Sequence, residues 1–248
     1  MITTTPRQEL TDRGRAAALR VADLVRSLSP TEAAAPVPGL GWTAGETAAH
    51  VVNLYGRGLG DLRRSATADA TATLNARCLD EYAERDPAVV ADRIAADAVT
   101  VWDHVLTTLP EDLELDFHAG ARTTVVPIMG VLLMEMLVHG RDIARATGRP
   151  WAIDDADAWH ALTALAPLLP AWRRPGTPAA DTIALPGPAG DRALRIACDG
   201  PATTIEVAAT SPEDRVIADG PAMALLGILG RQPATGPVAD LAARFGPF

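Results

Sequence analysis

The sequence predicts a bundle of four helices followed by a small α+β unit, and three observations carry that reading. Through the first 150 residues apolar side chains recur every third or fourth position, the spacing of amphipathic helices. Between 173 and 191 four prolines and three glycines break the pattern, a loop or linker composition. Beyond it, short runs with β-character replace the helical period. A chain of 248 residues allows one large domain or two modest ones; the change in texture favours two, 1–150 and 151–248.

From about 8 to 28, Leu10, Ala17, Val21, Leu24, Val25 and Leu28 form a helical stripe that Pro30 stops. After the loop AAAPVPGLG, Thr43 and Glu46 have the spacing of a capping box, in which each side chain satisfies a free amide at a helix start. They open a second helix whose apolar stripe is Ala48, Val51, Val52, Tyr55, Leu59 and Leu62. A third helix spans about 88–109, ended by Pro110, and a fourth about 127–147, closed by Gly148 and Pro150. Joined by short or moderate loops, these form an antiparallel bundle. In the second unit 155–172 reads as helix, and 182–185, 193–198, 203–209 and 215–218 read as strands. Gly220 and Pro221 then open an apolar helix ending at Arg231.

Composition narrows the function. The chain carries 22 arginines, no lysine and 31 acidic residues, for a net charge of -9. Nucleic acid and anionic membranes require a concentrated positive face, so neither is expected as a partner. The lysine-free, Ala- and Pro-rich usage matches codon bias in a GC-rich genome. Cys78 and Cys198 lack CxxC or Cys/His spacing, which leaves neither a disulfide scaffold nor a zinc knuckle. The start lacks the apolar core of a secretory signal. The longest apolar stretch, 125–138, is broken by Gly130 and Glu135 and falls short of the ~20 residues a membrane span needs. A cytoplasmic, reduced protein is the expectation, as a monomer or homodimer.

The fourth helix carries the chemistry. From Met129 to Val138 it is apolar all round except for Glu135, and such a helix is buried on most sides. A carboxylate there must be paired, neutralised or bound to a metal. His139 lies four residues on, and Asp142 one turn further along the same stripe. An i, i+4 carboxylate and imidazole can grip one metal ion; the alternative is a Glu135 paired with Arg57 or Arg141 and a merely hydrogen-bonding histidine. His50 points about 150° away from its helix's apolar stripe, beside Asn53 and Arg57, at ~100° per residue. That makes it either solvent-facing or part of a polar site inside the bundle.

GWTAGETAAHV at 41–51, followed by EMLVHGRDIARATGRPW at 135–151, resembles the mycothiol-dependent maleylpyruvate isomerase family, within the DinB-like metal-binding bundles. The resemblance implies a metal triad of His50, Glu135 and His139, with Trp42 opening the motif and Asp142 following it. It also implies a sterol-carrier-like second unit whose last helix ends in a functional Gly-Arg turn, here Gly230 and Arg231. Between His139 and Asp142, where isomerase-like sequences often carry an aromatic or other residue, this chain has Gly140 and Arg141.

Two histidines and one carboxylate suit Zn²⁺ or another divalent metal with one position open. A thiol entering that position loses its proton. The family supplies mycothiol as that thiol and a small electrophile as its partner, for cis–trans isomerisation or S-transfer. A non-catalytic module holding an apolar ligand between the units, and a metal-hydroxide enzyme using water, are the alternatives. Arg231 either holds a carboxylate, as the one catalytic arginine, or complements a helix dipole. Asp142 either orients His139 by accepting from its ring or caps the helix against Arg145. His104, His118 and His160 stand outside any ligand spacing and read as surface or ordinary structural residues, and the five tryptophans as packing anchors.

Overall fold

The structure is a computed structural model that describes residues 6–67, 69–174, 180–199 and 202–245. Helix α1 (Arg7–Arg26) leads through the single turn α2 (Pro30–Ala33) to α3 (Ala44–Gly58). Helices α4 (Ala70–Glu81) and α5 (Pro87–Val99) follow, and α5 continues into a π-helical segment, Thr100–Val105. A two-stranded hairpin, β1 (Leu115–Asp116) and β2 (Arg122–Thr123), precedes α6 (Val125–Ala146). α1 and α3 each pack on both α5 and α6, so the four form a bundle with α1 and α3 at opposite corners.

Helix α7 (Asp155–Leu165) runs into a 3₁₀ stretch to Trp172. Strands β3 (Ala180–Pro186), β4 (Ala193–Asp199), β5 (Ala202–Ala208) and β6 (Arg215–Val216) follow, then α8 (Gly220–Ile228) and α9 (Gly236–Arg244). The sheet order is β5-β4-β3-β6, antiparallel except for the parallel β3–β6 pair. A helical bundle followed by a small sheet unit is thus the architecture, as the sequence predicts.

Several elements depart from the sequence reading for identifiable reasons. α4 carries only Cys78 and Leu79 as buried residues, too little apolar signal to betray a helix. α9 is short and begins in the turn-forming pair Gly236–Pro237, which reads as loop. Leu59 and Leu62 do not extend the stripe of α3; the helix stops at Gly58, Gly60 adopts φ +111°, and Leu62 is 83% exposed. The third helix widens to π-helix at Trp102, whose indole fits where Gly14 of α1 has no side chain and donates to the Tyr55 hydroxyl at 3.1 Å.

The bundle and the second part share a continuous apolar core. α7 lies along α6 so closely that a Cβ on Gly130 would fall 2.6 Å from the Leu165 amide nitrogen. Ionic contacts cross beside it: Arg13 to Asp157 at 2.6 Å and His160 to Glu9 at 3.0 Å tie α7 to α1. Helix α6 is therefore enclosed by the bundle on one side and by α7 on another.

Gly140 answers a similar constraint near the end of α6. Trp151 packs against it, its indole donating to the Leu137 carbonyl at 3.0 Å with the Arg20 guanidinium 3.9 Å over the ring. A Cβ there would sit 2.1 Å from the indole. We predict that Gly140→Ala lowers stability by about 1–3 kcal/mol, the cost of overpacking a closed contact, measured as a shift in urea midpoint at unchanged m-value.

Candidate metal centre

The position of His50 is set two turns upstream of it. Thr43 Oγ1 accepts from the Glu46 amide at 3.2 Å while Glu46 accepts from the Thr43 amide at 2.7 Å, the reciprocal capping box that fixes where α3 starts. His50 then falls inside the bundle, 3% exposed, with the Trp42 ring 4.9 Å away. The polar face of α3 is turned inward towards α6, not to solvent.

α6 presents the facing groups. His139 Nε2 lies 2.8 Å from a Glu135 oxygen, and the His50 and His139 rings meet edge to face at 5.0 Å. One ligand atom from each of His50, Glu135 and His139 lies within 4.8 Å of the others. Asp142, 2% exposed, contacts the far side of His139 at 3.3 Å, and the same oxygen accepts from Arg231 Nε at 3.0 Å. Asp142 therefore faces His139 and Arg231, not Arg145. Arg231 follows Gly230, whose φ is +66°, and its Nη1 also donates to the Leu229 carbonyl at 3.2 Å. The turn closing α8 thus reaches the bundle site.

The electrostatics suit three side chains that could share a cation. Burial, with the His139 charge second, pushes His50 down to about 3, so it is neutral and able to ligate. Burial opposes the His139 imidazolium, but Asp142 and Glu135 outweigh it and raise its pKa to about 9. Burial also opposes ionised Glu135, yet His139, His50 and Arg57 hold it down at about 2. Buried His50 Nδ1 has no hydrogen-bond partner among the described residues. An orphaned imidazole nitrogen, a neighbouring imidazole and an ionised carboxylate fit a divalent metal.

A family model described as "Mycothiol maleylpyruvate isomerase N-terminal domain" matches residues 15–144, just over half the chain. The chain belongs to that family. Its fold is also that of solved members: the crystal structure of the mycothiol-dependent maleylpyruvate isomerase superposes with a TM-score of 0.57 at 17% identity, over 93% of both chains. A histidine-to-alanine mutant of that isomerase gives a TM-score of 0.55 at 15% identity, with the same coverage. No curated protein matches. Among the described residues no helix is long and apolar enough to cross a membrane.

Within this maleylpyruvate isomerase family member, the five motif positions separated by some 85 residues of sequence converge: Trp42, His50, Glu135, His139 and Asp142. Glu135 meets His139 directly, whereas Arg141 turns to the Arg231 carbonyl at 3.5 Å. His160 pairs with Glu9 on α1. His118, read from the sequence as a surface or structural residue, is buried and held by Ser65 at 3.1 Å; it lies in a 3₁₀ turn where no periodicity marks a face.

These shifts set the pH response of the metal-free protein. Stability from His139, whose pKa is raised from 6.5, is complete below that value and is lost as pH rises through about 9. His50 has the opposite sign: the unfolded chain takes up its proton first, so stability falls as pH drops from 6.5 towards 3. We expect urea midpoints in chelator to decline on both limbs. Glu135→Gln should flatten the alkaline limb and His50→Gln the acid limb; limbs unchanged in these variants would contradict the assignment.

Proposed function

We propose that this protein is a zinc enzyme that uses a low-molecular-weight thiol, mycothiol, to isomerise a small cis-alkene electrophile. The observation that carries the reading is the convergence of His50, Glu135 and His139 within 4.8 Å in a buried site, in a chain of this family. The solved structures that share its fold are those of a mycothiol-dependent maleylpyruvate isomerase. The chain offers no thiol of its own for the task, since Cys78 and Cys198 are both buried and neither belongs to the cluster.

A divalent cation held by the three side chains would supply Lewis-acid chemistry that favours a thiolate at neutral pH. Asp142 orients His139 and takes the charge of Arg231, so it acts as a positioning residue. Arg231 keeps donors of its guanidinium for a carboxylate of the bound electrophile. Trp42 walls the site beside His50. Addition of thiolate to the double bond forms a C–S bond and sends the π pair into the conjugated carbonyl. Rotation about the resulting single bond and expulsion of the same thiolate re-form the alkene as trans, with the thiol unconsumed. We assign the metal ligands to the unit 1–150 and Arg231 to the unit 151–248, and place the protein in the cytoplasm as a monomer or homodimer.

An apolar-ligand module is disfavoured by packing. The space among Met134, Leu162, Ile183, Leu225 and Leu241, between α6–α7 and the sheet, is about 30 Å³. That is room for a water or two, not for a hydrocarbon ligand.

The purified protein should carry one zinc per chain, and His50→Ala should lose it. Turnover of a cis-alkene acid such as maleylpyruvate should require mycothiol and leave the thiol concentration unchanged; consumption of thiol would mark S-transfer, and turnover without thiol a metal-hydroxide enzyme. Arg231→Gln should retain zinc while kcat/KM falls roughly 10- to 100-fold, the loss of a charge-assisted hydrogen bond to substrate. Metal retention in His50→Ala would overturn the site.

A further inference from the structure

Beside the triad lies a second group of side chains that neither metal binding nor packing uses. His50, Asn53 and Arg57 stand at i, i+3 and i+7 of α3 and so share one face. Arg57 is held at one end, Nη2 donating to Asn75 Oδ1 at 2.7 Å, while its Nε is buried without a partner among the described residues. Asn53 Nδ2 is in the same condition.

His118 joins them from the 3₁₀ turn His118–Gly120, in which Ala119 takes the unusual φ of +60°. The Ser65 amide donates to His118 Nδ1 at 3.1 Å. A nitrogen that accepts from a backbone N–H carries no proton, so the ring proton sits on Nε2. That Nε2 is buried and also unpartnered among the described residues. Burial, then the charges of Arg57 and Arg64, hold His118 down at about 4, so it stays a neutral donor at physiological pH. Arg57 bears on the protonation of His50, Glu135 and His118, and His118 on that of His50, which puts the group alongside the metal ligands.

Three buried donors, one of them cationic, face no acceptor among the described residues. Buried donors are met by acceptors in nearly every folded protein, and the acceptor that answers a guanidinium with two N–H groups is an oxyanion. We propose that Arg57, Asn53 and His118 form an oxyanion subsite beside the metal triad that takes a carboxylate of the small-molecule substrate. Its place in catalysis rests on the function proposed above; its anion binding does not. Arg231, whose Nε is committed to Asp142, is a separate cationic group, so the two arginines grip different parts of one ligand.

The test is a titration of maleate into the full chain, zinc-loaded and metal-free, followed by calorimetry and by the ring ¹H–¹⁵N NMR signal of His118. The subsite predicts saturable binding that moves the His118 Nε2 signal in both forms, and no movement with the uncharged diamide. Arg57→Gln should weaken maleate binding at least about tenfold without loss of zinc, with Arg57→Lys intermediate because it keeps the charge but not the fork. His118→Gln, which can still accept from Ser65, should also weaken binding and carries the test if Arg57→Gln does not fold. An unmoved His118 signal would mean that water alone meets these donors and would overturn the subsite, as would equal affinity in Arg57→Gln or loss confined to Arg231→Gln. Because maleate binding is read in the metal-free chain as well, its failure is distinct from a failure of zinc to bind His50, Glu135 and His139.

Discussion

The structure depends on how one ionised carboxylate is accommodated in an apolar helix. Glu135 is the only charge in the stretch from Met129 to Val138, and a desolvated carboxylate persists only when opposite charge and hydrogen bonds reach it. Here the compensation is a chain of contacts of alternating sign: Glu135 to His139 at 2.8 Å, His139 to Asp142 at 3.3 Å, and Asp142 to Arg231 at 3.0 Å. The last member comes from the turn after α8. The segment after α8 is thus electrostatically part of the site, because Arg231 is the second cation, besides His139, that reaches the buried Asp142.

The packing follows from the same demand. Burying His139 and most of Glu135 requires that α6 be covered along most of its surface. The bundle helices α1 and α3 cover part of it and α7 another. Close approach is achieved at the two glycines: Gly130 lets the backbone of α7 come in, and Gly140 receives the Trp151 ring one residue after His139. Reduced solvent makes each charge count for more, and with the neighbouring charges it moves His50 down, His139 up and Glu135 down from their usual ranges. Two adjacent imidazoles, one held neutral and one held protonated by carboxylates, form a candidate site in which a divalent cation would replace the His139 proton.

Much of this was legible in the sequence, and the reasons differ by residue. The capping box of Thr43 and Glu46 marked the start of α3, and the i, i+4 spacing of Glu135 and His139 placed both on one face of a helix whose length and stop signals were plain. The period of His50 showed only that it left the apolar stripe; whether its face met water or another polar face depends on tertiary packing, which a helical wheel does not hold. The motif resemblance joined the two segments across some 85 residues that no spacing rule connects. Arg231 was visible as a turn residue, but its contact with Asp142 required the fold. His118 was invisible, since its role comes from a turn pinned by Ser65 and from the field of Arg57, neither of which leaves a periodic trace. Helix α4 buries only Cys78 and Leu79, and α9 is short and opens on Gly236–Pro237, so neither leaves a readable helical stripe.

The central claim is that His50 from α3 and Glu135 and His139 from α6 together form one metal site. X-ray absorption at the zinc edge of the loaded protein tests it most directly. The account predicts two imidazole ligands with zinc–nitrogen distances of about 2.0–2.1 Å, no sulfur from the chain, and one imidazole fewer in any zinc that His50→Ala retains. A spectrum with a protein sulfur ligand, or with a single imidazole in the wild-type chain, would contradict it.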